Sequence, residues 1–179
     1  MKVQIKKGKN LTKKEKELID KQRVKEFGKK AVRSWEKDPP MTDVFFIKDN
    51  KEIVAFGMLM PIKINYQNKN YNILGISSVL SIKKKKGYGK KLIQAMMEHA
   101  KKKGKTMLGF CGKKNITFYE KAGLKSKKNF IRRFVYKNLK TGKKVVDKDG
   151  DGIYYEGKDK FISKVMKTKS IVYINIIHW

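Results

Sequence analysis

Val79-Leu80-Ser81-Ile82-Lys83-Lys84-Lys85-Lys86-Gly87-Tyr88-Gly89-Lys90-Lys91-Leu92-Ile93-Gln94-Ala95-Met96-Met97-Glu98-His99-Ala100 is the stretch whose reading decides the fold. An apolar, β-leaning run from Tyr71 to Ile82 leads into a lysine-rich turn holding Gly87 and Gly89, and a helical pattern follows at once. Leu92, Ile93, Met96, Met97 and Ala100 recur at spacings of one and three to four, the apolar face of a 3.6-period helix. A strand, a glycine turn and a helix N-terminus build an anion site: free N–H groups and the helix dipole face the ligand, and glycine lets phosphate approach the backbone. Lys83 to Lys86, Lys90 and Lys91 surround that site with positive charge. The expected ligand carries a pyrophosphate.

Two common pyrophosphate loops are excluded. A Walker A loop needs glycine at position 84 and Ser or Thr at 91, and both are lysine. A dinucleotide fingerprint needs a third glycine at 92, which is leucine. What remains, Lys84-x-x-Gly87-x-Gly89, resembles the Gln/Arg-x-x-Gly-x-Gly/Ala loop of the GCN5-related N-acetyltransferase (GNAT) superfamily, with lysine in place of the usual Gln or Arg. A second segment carries the same resemblance. After a short apolar strand over residues 105–111, Asn115-Ile116-Thr117-Phe118-Tyr119-Glu120-Lys121-Ala122-Gly123-Leu124 is similar to the family's Asn-x-x-x-x-Phe-Tyr-x-x-x-Gly-Phe/Leu pattern, with two residues rather than four between Asn115 and Phe118. Read without the family, it is an aromatic pair packing a short helix that Gly123 ends in the left-handed conformation. The likeness covers roughly residues 45–125 well and the flanks weakly.

The resemblance implies an α/β (α+β) fold with a mixed, mostly antiparallel sheet and helices on both faces. It also implies an acetyl-CoA-dependent N-acetyltransferase acting on a primary amine. Carried over by position, Val79, Leu80 and Ser81 meet the pantetheine and thioester carbonyl. Lys84, Lys85, Lys86, Gly87, Tyr88, Gly89 and Lys90 surround the pyrophosphate, and Asn115 and Phe118 complete the cofactor site. Tyr119 is the expected proton donor to the leaving thiolate. No base stands out: Ser77 or Ser78 through water, His178 and the carboxylate of Trp179 are the candidates, while His99 reads as packing or solvent-facing.

Composition bounds the alternatives. A chain of 179 residues reads as one domain, spanning 1–179, and 40% hydrophobic content argues against disorder. The N-terminus lacks a signal-peptide core and no run has transmembrane length, so the expectation is a cytoplasmic protein with no membrane partner. One cysteine, Cys111, excludes an internal disulfide framework, and with two distant histidines no Cys/His metal site is expected. Net charge +30 raises the question of nucleic acid. The lysines, however, are spread over every segment, and only four of the 46 basic residues are arginine, so non-specific polyanion binding is the expectation. A basic nucleic-acid-associated module on this fold and a protein or peptide N-acetyltransferase remain as alternative readings; monomer and homodimer are both open.

Along the chain, residues 3–7 read as a strand. Thr12 and Glu15 form a capping box for a helix carrying Leu18, Ile19, Phe27, Ala31 and Trp35 that Pro39-Pro40 ends. A meander over residues 43–48, 52–62 and from Tyr71 onward feeds the glycine loop, and residues 71–111 then form a βαβ unit with a parallel pair. Residues 130–136 and 171–179 read as strands.

An acidic insertion around residues 138–170 is the odd part. Asp147, Asp149, Asp151, Glu156 and Asp159 hold five of the chain's 16 acids. The opening Asp147-x-Asp149-x-Asp151-Gly152 copies an EF-hand start, but position twelve is Lys158 rather than Glu, so a β-turn between residues 143–146 and 153–155 is expected instead. The order of elements is also similar to that of the aminoglycoside 2′-N-acetyltransferases, which place an Asp-rich loop and a terminal carboxylate at a cationic substrate. This implies Asp147, Asp149, Asp151 and Trp179 as acceptor contacts and a small cationic amine, such as an aminoglycoside or polyamine, as acceptor. The glutamate those enzymes use as a water-linked base falls near Gly75 here.

Overall fold

The computed structural model describes residues 1–29, 41–84, 86–138, 141–147 and 149–174. Strands β1 (Lys2–Lys7), β2 (Asp43–Asp49), β3 (Glu52–Tyr66) and β4 (Lys69–Ser81) form an antiparallel meander. Helix α1 (Lys13–Phe27) lies between the first two strands, and α2 (Tyr88–Lys102) follows β4. Then come β5 (Met107–Cys111), α3 (Ile116–Ala122), β6 (Lys125–Lys127), β7 (Phe134–Lys137), β8 (Lys144–Val146), β9 (Asp151–Tyr155), α4 (Phe161–Met166) and β10 (Val172–Ile174). The main sheet runs β1-β2-β3-β4-β5-β9-β6, and only β4–β5 is parallel within it. A small second sheet runs β10-β7-β8.

Alternation along the strands divides the core by face. On β2, Phe45 and Ile47 pack with Leu92, Ile93, Met96 and Ala100 of α2, whereas Val44 and Phe46 meet Ile19 of α1. Farther along β3 and β4, Ile62, Ile64, Tyr71 and Ile73 pack with Phe161, Ile162 and Val165 of α4. Strands covered on both faces in this way read as nearly continuous apolar runs, which is why β3 carries so few polar residues before Pro61. Both hairpins of the meander turn on two residues with positive φ, Asn50-Lys51 (46° and 72°) and Gln67-Asn68 (50° and 58°), the twist that two-residue hairpins favour.

Several boundaries differ from the sequence reading. The capping box is present, with the Glu15 N–H donating to Thr12 Oγ1 (3.2 Å) and the Thr12 N–H to Glu15 Oε2 (2.9 Å). The helix it opens ends at Phe27, because Gly28 turns to φ 82° and its N–H closes on the Val24 carbonyl. Ala31, Trp35 and Pro39-Pro40, expected to extend and stop it, lie outside the described residues. The strand expected over residues 130–136 begins as a 3-10 turn, Phe130–Arg133, because Asn129 takes a left-handed conformation and Phe130 fills the space beside Gly152.

The expected acidic hairpin does not form: β8 pairs with β7, while β9 leaves for the main sheet and covers the open edge of β5. There Ile153 joins the core, and Gly152 leaves room for Phe130, which a Cβ would meet at 2.7 Å. Helix α4 was not expected. Asp159 and Glu156 build its start by accepting the N–H groups of Phe161 (3.2 Å) and Ser163 (2.7 Å). No described helix is long and apolar enough to cross a membrane.

Candidate active site

The site grows from one irregularity in β4. Its register with β3 passes from Met58↔Ser77 to Phe56↔Leu80, so Ser78 and Val79 stand opposite Gly57 alone. This is a β-bulge, and such an extra residue bends its strand. Ser78 takes φ 51° within it, a conformation that few non-glycine residues adopt. Meanwhile β4 pairs with β5 only at Leu74 and Gly75. Beyond those pairs the two parallel strands part, and the gap opens into a cleft of about 840 Å³.

Ser77, Ser78, Val79, Leu80 and Ser81 line this cleft from β4. At its other end lie Lys84, Gly87, Tyr88, Gly89 and Lys90. Gly87 caps α2 at φ 73°, and no side chain caps the helix, so its first N–H groups keep the dipole end open to a ligand. A Cβ on Gly87 would touch nothing within 4 Å, whereas one on Gly89 would meet the Phe118 ring at 3.0 Å. The first glycine is needed for its backbone angle, the second for space. Lys84 Nζ reaches Glu26 of α1 at 3.1 Å, and Lys83 pairs with Glu52 at 2.6 Å. The Tyr88 hydroxyl donates to Asp49 (2.6 Å), and Ser81 Oγ donates to the Lys83 carbonyl (2.9 Å).

The third side comes from β5 and α3: Phe110, Cys111, Gly112, Asn115, Phe118 and Tyr119. Gly123 ends α3 at φ 110°, as the sequence led us to expect. Tyr119 packs against the core edge-on to Phe118, with ring centroids 5.0 Å apart. Burial, with a smaller push from Cys111, raises its phenol well above the usual range, so the hydroxyl keeps its proton. Burial also pushes the Cys111 thiol up to about 11, with the Asp151 charge adding to it.

Most of the residues marked from sequence therefore share one cleft. Lys86 is exposed and outside its lining, and Lys85, His178 and Trp179 lie outside the described residues. Asp147, Asp149 and Asp151 are not among the lining residues. Asp147 is exposed, Asp149 faces solvent 4.0 Å from Arg132, and Asp151 is buried, accepting the Asn129 N–H at 2.7 Å. Among the described residues no group of three or more His, Cys, Asp or Glu is placed to hold a metal ion. His99 contacts Asp43 (2.9 Å) and the Phe45 ring, away from the cleft.

The sequence reading missed Glu26, Phe27 and Cys111 in the lining and Arg23 behind it. Spacing on α1 could have flagged Arg23, which falls four residues after the buried Ile19.

The family model of the Acetyltransferase (GNAT) family matches residues 12–124. The chain belongs to the GNAT acetyltransferases. That range takes in α1, the bulged β4, the glycine turn and α3. The GNAT fold also recurs in solved structures at low identity. Escherichia coli ElaA aligns at TM-score 0.59 and 14% identity, over 87% of this chain and 99% of that one. The Campylobacter jejuni N-acetyltransferase PseH, solved in complex with acetyl coenzyme A, aligns at 0.54 and 17%, again over 87% and 99%. A longer Enterococcus faecalis protein, a probable N-acyltransferase, aligns at 0.56 and 18%, over 73% of this chain and a third (33%) of its own. A comparison with curated protein sequences finds no match. As a GNAT acetyltransferase the protein is an acyl-transfer enzyme of a family that uses acetyl-CoA.

Proposed function

We propose that the cleft transfers the acetyl group of acetyl-CoA to a primary amine. The observation that carries this reading is the continuity of the cleft, from the β4 bulge past Tyr119 to the open N-terminus of α2. In this reading the pyrophosphate rests on the first N–H groups of α2, with Gly87 and Gly89 keeping side chains out of the way. Lys84 and Lys90 supply screening charge, and Asn115 and Phe118 flank the carrier arm. The backbone at Val79 and Leu80 faces the thioester, where a fixed N–H is worth most as the carbonyl oxygen gains charge.

The amine attacks the thioester carbon, the tetrahedral intermediate collapses, and the carbon–sulfur bond breaks to leave a thiolate. Tyr119 serves that leaving sulfur. Its raised phenol guarantees a proton but makes it a weak acid, so it acts chiefly by hydrogen bonding to sulfur as charge builds. The nitrogen sheds its proton to solvent water that enters the cleft beside Ser77 and Ser78.

The acceptor we infer is a small cationic amine, because Glu26 is the one carboxylate lining the cleft among the described residues. It takes the part that the sequence reading gave to Asp147, Asp149 and Asp151, none of which lines the cleft. Steady-state thiol release with a panel of neutral, acidic and cationic amines tests this. Glu26→Gln should raise KM for dicationic amines, whereas KM for acetyl-CoA should respond only through the Lys84 ammonium that loses its partner, and so fall or stay put. Equal KM values for cationic and neutral amines, in both proteins, would refute the acceptor class.

A further inference from the structure

The bulge that gives the cleft its shape is tied to α1 by one side chain. Arg23 of α1 is buried, at 3% exposure. Its Nε donates to Ser78 Oγ at 3.0 Å, its Nη2 meets the Met58 sulfur at 3.2 Å, and its Nη1 lies 3.6 Å from Asp20. Ser78 is the bulge residue with φ 51°, and Met58 is the β3 residue where the register shift ends. The guanidinium thus grips both strands at the point where their pairing breaks.

The geometry points to Arg23 as a positioning residue: it holds Ser78 in its left-handed conformation and so sets the backbone at Val79 and Leu80 against the thioester carbonyl. The inference rests on the proposed acetyl-transfer reading and deepens it. Three features support it. A serine at positive φ is costly unless its surroundings hold it, and the hydrogen bond from Nε, at 3.0 Å, is the shorter of the two on this side chain, Ser77 Oγ lying 3.4 Å away. The planar fork reaches three groups in three directions, which the point charge of a lysine cannot do. The cation also keeps its charge at every working pH, behind a wall where negative charge develops on the carbonyl oxygen during transfer.

Glycine supplies the discriminating test, since it takes positive φ without a tie. The readings are the infrared stretch of the thioester carbonyl in bound, carbonyl-¹³C-labelled acetyl-CoA, together with kcat and the acetyl-CoA Kd. In the wild type, binding should move the stretch to lower frequency. In Arg23→Met it should return toward the value of free acetyl-CoA, with kcat down about tenfold, a fraction of what losing a whole oxyanion donor costs, and with Kd little changed. In Arg23→Met/Ser78→Gly the stretch should recover, and kcat should depend far less on residue 23 than it does with serine at 78.

A stretch indifferent to residue 23, or an equal loss of kcat on both backgrounds, overturns the inference. A uniform fall in stability with no change in the stretch assigns Arg23 to packing alone and overturns it too. If Arg23→Met does not fold, Arg23→Lys, alone and with Ser78→Gly, gives the same comparison. Acetyl-CoA failing to bind the wild type would refute the functional reading, and this inference with it. Binding with a stretch blind to position 23 would refute the inference alone.

Discussion

Gly89→Ala separates ligand binding from folding. A Cβ on Gly89 lies 3.0 and 3.2 Å from two Phe118 ring atoms, a few tenths of an ångström inside ordinary contact. Phe118 is 40% exposed, so its ring can swing outward, and the clash should cost less than the roughly 1–3 kcal/mol of overpacking in a closed core. Alanine also gains up to about 1 kcal/mol of helix propensity over glycine, less in a first turn. These effects nearly cancel, so the melting temperature should stay within a few degrees. Binding should respond differently, because the methyl group stands where phosphate oxygens would approach the N–H groups of Gly89 and Lys90. One charge-assisted hydrogen bond is worth about 1.5–3 kcal/mol, which predicts a Kd for acetyl-CoA about 10- to 100-fold weaker. Calorimetric titration measures that change directly, and a melting curve confirms the fold. An unchanged Kd in a folded variant would refute the α2 N-terminus as the pyrophosphate seat.

Other expectations follow from the charged and thiol groups. Asp43 is buried among Lys7 (2.5 Å), His99 (2.9 Å) and Lys103 (2.8 Å). Burial pushes its carboxyl up, but hydrogen bonds from Lys103, Lys7 and His99 outweigh it, and the net position is below the usual 3.8. Its stabilisation is therefore complete above pH 3.8 and lost as pH falls through the lower folded value. Asp43→Asn should cost about 1–3 kcal/mol at pH 7 and flatten the acid limb of a stability–pH curve; an unaltered limb would count against it. Cys111, pushed from 9.0 to about 11, should react with iodoacetamide at pH 8 roughly a hundredfold more slowly than an ordinary thiol. Acetyl-CoA should slow it further, and rapid labelling would contradict its burial. Tyr119→Phe should fold normally and lower kcat on the order of a hundredfold, and wild-type turnover would leave the ring as packing only.

Those features that depend on local chemistry were legible in the sequence. The glycine turn before α2, the Gly123 cap and the Thr12–Glu15 box each follow from a few adjacent residues, and each is present. What could not be read depended on partners far apart in the chain. Nothing near residue 151 announces that β9 will leave β8 for the edge of β5, because that choice is made by Ile153 and by the fit of Phe130 to Gly152. The same holds for the acids. Asp151, Glu156 and Asp159 look like a patch in sequence, yet they accept hydrogen bonds from Asn129, Ser163 and Thr106. Glu26 and Arg23 escaped notice because a helix turns its faces to different neighbours, and only the packing of α1 beside β4 brings them to the cleft.

Transfer from acetyl-CoA to an amine at this cleft is the central claim, and isotope-edited NMR tests it most directly. Acetyl-CoA labelled with ¹³C at the acetyl carbonyl is mixed with the protein and a cationic amine, and the carbonyl resonance is followed in time. The account predicts that the thioester signal decays into an amide signal, and that Tyr119→Phe and Gly89→Ala both slow the decay. A thioester signal that persists, or that turns into free acetate at the same rate with and without the amine, would contradict it.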